Sequence, residues 1–236
     1  MEWFSATVAA VRDLTHDVRQ IDFTLVDPPA ILFAPGQFIS FEIDRPGSAI
    51  PATRPYSIAS APRQVGRIQI VLNRVPGGPG SSYLFNLEKG FNTKFKGPIG
   101  SFTLRKNARD VLFVATGTGI APIRSMLWAL ADEVSTRRIT LLWSLRSERD
   151  LYYQDELAAL RNRLPSFTSK TTLSQPAGPW SGTVGRVVPL VTNDVVDVTN
   201  LDVYLCGNGA MIREVRNVIR TKGLCPIYTE QYYPGD

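Results

Sequence analysis

Apolar and polar residues alternate along the first hundred positions of the chain. In Arg19-Gln20-Ile21-Asp22-Phe23-Thr24-Leu25 the side chains of Ile21, Phe23 and Leu25 fall on one face. Gln37 to Ile43 repeats the pattern with Ile39, Phe41 and Ile43, and Ile68, Ile70 and Leu72 repeat it again. A period of two predicts strands buried on one side. Ala34-Pro35-Gly36 and Lys96-Gly97-Pro98 are turn signals between such runs. Regular short strands with little helix predict a small antiparallel barrel.

From about Asp110 the pattern changes. Val111 to Ala115 is a continuous apolar run, as expected of a strand buried on both faces, and Thr116-Gly117-Thr118-Gly119 follows it. Pro122 then opens a helical stretch, Ile123 to Glu133, in a first-turn position where proline is tolerated. Ile139 to Trp143 reads as a second strand, Tyr153 to Arg163 as a helix, and Val203 to Gly207 as a strand leaving through glycine. Met211 to Lys222 is a helix closed by Gly223. Strand, glycine turn and helix in alternation predict a parallel α/β sheet. The change falls near residues 105–109, so the expected domains are 1–107 and 108–236.

Composition narrows the chemistry. The 236 residues are 44% hydrophobic and 20% charged, ordinary for a globular protein, and no apolar stretch is long enough for a membrane span. Met1-Glu2-Trp3-Phe4-Ser5 lacks a basic segment before an apolar core, so no signal peptide is expected. The single histidine, His16, lies in a polar turn and is expected at the surface. One His and two Cys, Cys206 and Cys225, are too few for a zinc site or an iron–sulfur cluster, so no metal is expected. Serine or cysteine nucleophiles working through histidine are poor candidates for the same reason. The chemistry is expected to belong to a bound organic cofactor in a reducing, cytoplasmic setting. The net charge of +5 is uneven: residues 1–107 carry 12 basic and 8 acidic side chains, and residues 108–236 carry 14 and 13. Either an anionic cofactor or acidic protein partner, or scattered solubilising charges, accounts for the basic first part; no nucleic-acid partner is expected.

Three segments invite a ligand. Thr116 to Pro122 is a strand–glycine–helix junction, where glycines let the backbone approach a diphosphate and the helix start offers unpaired N–H groups. It is neither G-x-G-x-x-G, because Pro122 holds the third glycine position, nor a P-loop. A plain tight turn is the alternative. In Arg54-Pro55-Tyr56-Ser57 the arginine suits a phosphate, the tyrosine a flat ring and the serine a hydrogen bond, although each residue type also has an ordinary structural use. Gly77-Gly78-Pro79-Gly80-Ser81-Ser82 is either an anion-binding nest or a hairpin turn.

The combination decides between these alternatives. Arg-x-Tyr-Ser (54–57), Gly-Gly-x-x-Ser-x-x-Leu (77–84), Gly-Thr-Gly-Ile-Ala-Pro (117–122) and Tyr-Leu-Cys-Gly (204–207) occur in that order. The chain resembles the ferredoxin–NAD(P) reductase superfamily over nearly its whole length. The resemblance implies a six-stranded antiparallel FAD-binding barrel followed by a parallel-sheet NAD(P)-binding α/β domain. It implies that Arg54 and Pro55 meet the FAD diphosphate, that Tyr56 packs on the isoalloxazine, and that Ser57 bonds near flavin N5. Val71, Leu72, Asn73 and Arg74, with Pro79, Gly80, Ser81 and Ser82, match the segments that cradle the rest of the FAD. Thr116, Gly117, Thr118, Gly119 and Pro122 match the binder of the nicotinamide nucleotide's diphosphate. Cys206 and Gly207 would flank the nicotinamide and Glu230 would stand near the ring junction. Ser57, Cys206 and Glu230 are then the residues nearest the reaction, in which hydride passes from NADH or NADPH to flavin N5.

Departures from the family pattern are visible. Gly207-Asn208-Gly209 stands where Gly-Pro is usual after the cysteine. Trp143-Ser144-Leu145-Arg146 stands where the second strand usually leaves through glycine before arginine. The tail runs past Glu230 to Pro234-Gly235-Asp236, more like the flavin part of oxygenase reductases. Ser144 and Arg146 suit an adenosine 2′-phosphate, whereas Leu173-Ser174-Gln175-Pro176 with Trp180 resembles NADH-linked members, and the balance leans to NADH. A separate ferredoxin or oxygenase component is the expected acceptor. Reduction of free flavins or other small acceptors is the alternative, and a non-catalytic nucleotide-sensing subunit is a third.

Overall fold

The computed structural model describes residues 2–45 and 48–233. Met1 of the leader reading, and Pro234 to Asp236 of the reading of the tail, lie outside them. The chain divides into two compact units, one holding the described residues up to Leu104 together with Arg124–Ala129, the other holding the remainder.

The first unit is a six-stranded antiparallel sheet of β1 (Glu2–Asp13), β2 (Val18–Asp27), β3 (Phe38–Arg45), β4 (Ser48–Ser57), β5 (Arg67–Asn73) and β6 (Asn92–Ile99), with a short helix α1 (Pro79–Phe85). The strand order β4-β3-β6-β1-β2-β5 curls the sheet until its edges meet in one isolated bridge, Ile58 to Ile70. The expected alternation appears in the core. Ile21, Phe23, Ile39, Phe41, Ile43, Ile68, Ile70 and Leu72 all point into one cluster, joined by Phe4 and Phe95. Phe95 stacks on Phe4 at 5.7 Å between centroids and meets Phe41 at the same distance. At the predicted turn Ala34-Pro35-Gly36, Gln37 N–H bonds the Ala34 carbonyl at 3.0 Å, with Gly36 at a φ of +103° that suits glycine. The second glycine cluster is a helix, not a hairpin: α1 starts with Pro79 at a helix-opening position and buries Leu84 in the barrel core.

The second unit is a parallel sheet of β7 (Asp110–Thr116), β8 (Ile139–Leu145), β9 (Phe167–Leu173), β10 (Thr183–Val184), β11 (Leu201–Asn208) and β12 (Ile227–Tyr233). Its helices are α2 (Ile120–Asp132), α3 (Gln154–Arg163), α4 (Val187–Asp194) and α5 (Gly209–Lys222). The strand order is β10-β9-β8-β7-β11-β12. The chain therefore winds outward from β7 through β8 and β9 to β10 and then crosses to β11 on the other side of β7. That reversal is the place in an open α/β sheet where ligands bind, beyond the carboxyl ends of the strands.

At its other end β11 is pinned by charge. The fully buried Asp202 carboxylate accepts from Arg109 Nε at 3.0 Å and Asn107 Nδ2 at 2.8 Å, with an Arg137 nitrogen 3.6 Å away. A buried carboxylate is tolerable only when paired in this way. Tyr204, one turn of the pleat further on, accepts the Arg105 N–H at 2.9 Å and stacks on Tyr228.

Burial pushes the Tyr204 phenol from its ordinary 10 up to about 12. The unfolded chain therefore ionises this group first, and between those pH values ionisation favours unfolding. Tyr204→Phe should cost about 1 kcal/mol at neutral pH through the lost hydrogen bond. It should also flatten the fall of the thermal midpoint expected of the parent between pH 10 and about 12. Parallel slopes for parent and variant would show that Tyr204 does not titrate on unfolding.

Candidate functional site

Each unit carries a glycine-dependent cradle. In the first, Arg54, Pro55, Tyr56 and Ser57 occupy the last four positions of β4, registered against Phe41, Ser40, Ile39 and Phe38 of β3. Ser57 is buried, Arg54 and Tyr56 are half-buried, and Pro55 is exposed. The structure brings this strand against α1. A Cβ on Gly80 would collide with the Tyr56 hydroxyl and would lie 2.9 Å from Arg54 Cγ, so only glycine permits the approach. Arg54 Nη1 donates to the Thr53 carbonyl at 2.9 Å, and its guanidinium pairs with no carboxylate among the described residues. A lone cation beside a glycine-opened helix start fits a diphosphate.

The other predicted residues of this unit divide. Val71 and Leu72 are buried in β5, Asn73 ends it, and Leu72 belongs to the core. The Ser81 hydroxyl is turned inward. It accepts from Val75 N–H at 3.1 Å and lies 3.0 Å from the Val75 carbonyl, where it shapes the turn before α1. Pro79 sits in the first turn of the helix, beside Ser82, whose N–H bonds the Gly78 carbonyl at 3.0 Å. Arg74 points toward Phe85, its guanidinium 4.3 Å from the ring centroid, and Arg19 lies over the same ring at 4.7 Å.

In the second unit the turn after β7 and the end of β11 press together. A Cβ on Gly119 would collide with the Cys206 carbonyl oxygen and lie 2.7 Å from its carbon. A Cβ on Gly207, whose φ is +130°, would collide with Thr116 Oγ1. Thr116 Oγ1 in turn accepts the Asn208 N–H at 2.9 Å. Gly117 to Gly119 forms a 3-10 turn that runs into α2, placing Pro122 in the first turn of that helix, which has no acidic residue. The N–H groups and partial positive charge of this helix start face the carboxyl edge of the sheet.

Cys206 is fully buried between Ala115 of β7 and Glu230 of β12. Burial drives its thiol well above the ordinary range, the Glu230 charge adds to this, and a hydrogen bond with Tyr232 works against it. The group is a neutral thiol at physiological pH. Ser144 is buried in β8 opposite Thr116, and the exposed Arg146 donates from Nε to Gln175 Oε1 at 3.0 Å. Glu148 accepts from the N–H groups of Ala177 and Gly178, each at 3.0 Å, and the Ala177 bond, first among these, holds its carboxyl below the usual range.

Three residues were not anticipated. Asn208, noted only as a departure from Gly-Pro, caps α5 by accepting from Ala210 and Met211 N–H at 2.8 and 3.3 Å. Trp143 and Tyr152 both donate to the Gly117 carbonyl. An Asn ahead of a helical run signals the cap; two distant aromatics meeting one oxygen leave no mark in a linear pattern.

Residues 5–104 match the family described as the oxidoreductase FAD-binding domain, and residues 113–217 match the oxidoreductase NAD-binding domain. The chain is 36% identical to ferredoxin--NADP reductase B of Sorangium cellulosum, over 98% of each chain. It is 31% identical to the ferredoxin--NAD(P)(+) reductase component of the naphthalene 1,2-dioxygenase/salicylate 5-hydroxylase systems of a Ralstonia species, over 97% of this chain and 69% of that one. Among solved structures it is similar to the Amycolatopsis cytochrome P450 reductase GcoB, with a TM-score of 0.87 at 26% identity, covering 100% of this chain and 71% of that one. By these matches the chain belongs to the ferredoxin–NAD(P) reductase superfamily and is an NAD(P)H-dependent flavoprotein oxidoreductase using FAD.

Proposed function

We propose that this reductase takes electrons from NADH and delivers them to a ferredoxin or an oxygenase component. The observation that carries the reading is the packing of Gly80 on Arg54 and Tyr56, which joins two separate motifs into one phosphate-and-ring cradle. The names of the Sorangium and Ralstonia relatives support the acceptor class.

In this reading residues 1–107 hold the flavin and residues 108–236 the nicotinamide nucleotide. Arg54 pairs the FAD diphosphate, with Pro55 beside it. The backbone of Gly80 and Ser81 assists, since the Ser81 hydroxyl is already committed to the Val75 turn, and Ser82, whose N–H is bonded to the Gly78 carbonyl, offers its hydroxyl. Tyr56 lies along the ring system and Ser57 offers its hydroxyl near N5. Val71, Leu72, Asn73, Arg74 and Pro79 border the remainder. Bound FAD supplies hydride acceptance and stepwise electron release. Thr116 to Gly119, with Pro122, receive the nucleotide diphosphate. Cys206, as a neutral thiol, presents a small polarisable surface to the nicotinamide instead of a nucleophile. Gly207 keeps the space beside it open, and Glu230 contributes a carboxylate at the same edge. Orientation of two rings is the main demand, and no general base is required.

NADH is preferred in this reading because Arg146 is bonded to Gln175 and the neighbouring loop is organised around the Glu148 carboxylate. An acidic group at the adenosine end disfavours a 2′-phosphate.

Arg54→Ala should release FAD during gel filtration while the far-ultraviolet circular dichroism stays that of the parent. A variant that elutes with full yellow colour removes Arg54 from the diphosphate. Steady-state rates should give a higher kcat/KM with NADH than with NADPH; the reverse order overturns the adenosine-end argument. Reduction of an acidic ferredoxin should slow as salt rises, because steering by the basic first part is screened. Turnover confined to free flavins, or ferredoxin reduction indifferent to salt, counts against a docked protein acceptor.

A further inference from the structure

Gly117 has a φ of +51°, and three donors converge on its carbonyl oxygen. Trp143 Nε1 lies 3.0 Å away and Tyr152 Oη 3.1 Å away, while the Ile120 N–H divides itself between the Gly117 and Thr118 carbonyls. Trp143 is fully buried and Tyr152 is 6% exposed, and their rings meet edge to face at 4.9 Å between centroids. Trp143 comes from the middle of β8, and Tyr152 from the segment before α3.

A buried indole or phenol needs some partner for its polar atom. Here both take the same oxygen, and it belongs to the residue on which the turn's polarity depends. In a planar trans peptide the N–H points away from the C=O. With the Gly117 carbonyl held toward the two aromatic rings, the Thr118 N–H is directed to the opposite side. The orientation of this peptide is set by ψ of Gly117 and φ of Thr118, and glycine places little steric limit on the first, so the turn has no side chain of its own at Gly117 to fix the carbonyl. The two aromatic donors hold it in the observed orientation.

We propose that Trp143 and Tyr152 are positioning residues that lock the Gly117–Thr118 peptide in its anion-accepting orientation and so set the affinity for the nicotinamide nucleotide. This rests on the reading that the turn receives the nucleotide's diphosphate.

The test uses the full FAD-loaded chain, NADH as probe and ferricyanide as acceptor. Tyr152→Phe removes one oxygen and keeps the ring. It should raise KM for NADH by roughly threefold to tenfold, the size of one hydrogen bond, with kcat and FAD content as in the parent. Trp143→Phe should act in the same direction. Because it also removes buried volume, Tyr152→Phe is the deciding variant. An unchanged KM in Tyr152→Phe overturns the lock. So does a rise in KM accompanied by matching losses of kcat, FAD and thermal midpoint, which marks a merely structural role. Gly117→Asp and Gly117→Asn separate this inference from the reading beneath it. A Cβ there meets nothing within 4 Å, and both residue types tolerate the left-handed region. If the aspartate variant binds NADH as the asparagine variant does, the diphosphate reading itself fails and the lock with it. If only the aspartate variant loses NADH while Tyr152→Phe stays normal, the diphosphate reading stands and the lock is overturned.

Discussion

The second unit depends on the contact between two stretches of chain that approach each other through glycine. Gly119 lies against the Cys206 carbonyl and Gly207 against Thr116. Any Cβ at either place would drive β7 and β11 apart at their carboxyl ends. Those strands are neighbours at the reversal of the winding order, where an open α/β sheet has its ligand crevice, and the two glycines let their ends close together there. Thr116 then closes the arrangement by accepting the Asn208 N–H, and Asn208 caps the helix that follows. Strand end, turn and two helix starts are thereby referred to one point.

The first unit solves a similar problem differently. Its cradle is made by a helix that buries Leu84 in the barrel core and Gly80 and Ser81 in its first turn. Gly80 allows that helix to rest on Arg54 and Tyr56. The Ser81 hydroxyl supports the cradle from behind through Val75, so the side-chain oxygen of a residue singled out as a ligand contact is committed within the chain. Arg74 likewise spends its guanidinium on Phe85. Motif membership identifies the segment that matters, but the hydrogen-bond inventory decides which atom of each residue is available.

Much of the fold was legible in the sequence because burial has a period. Ile21, Phe23 and Leu25, or Ile39, Phe41 and Ile43, declare a strand with one wet face, and Val111 to Ala115 declares one with none. The helix over Pro79–Phe85 was not legible, since seven residues containing two of its segment's glycines and prolines look like a turn until Leu84 finds a core. The glycine turn was legible as the junction between β7 and α2. Its support from Trp143 and Tyr152 was not, because donors in β8 and before α3 meet Gly117 only after the chain has folded. Spacing encodes local geometry, whereas convergence from separate elements has no linear signature.

These contacts separate stability from function along a single strand. At its start β11 is held by Asp202 with Arg109 and Asn107, and by Tyr204 with Arg105, where side chains are large and polar groups are paired. At its end it offers Cys206 and Gly207, a neutral thiol and a residue without a side chain. Glycine in a strand weakens it, and a positive φ makes it irreplaceable by an L-residue without strain. The base of the strand therefore offsets what the tip gives up. Substitutions that add contacts at the Asp202 end can raise stability without touching the crevice. A side chain at Gly207 would stabilise nothing, because its Cβ would collide with Thr116 Oγ1 and force the ends of β7 and β11 apart.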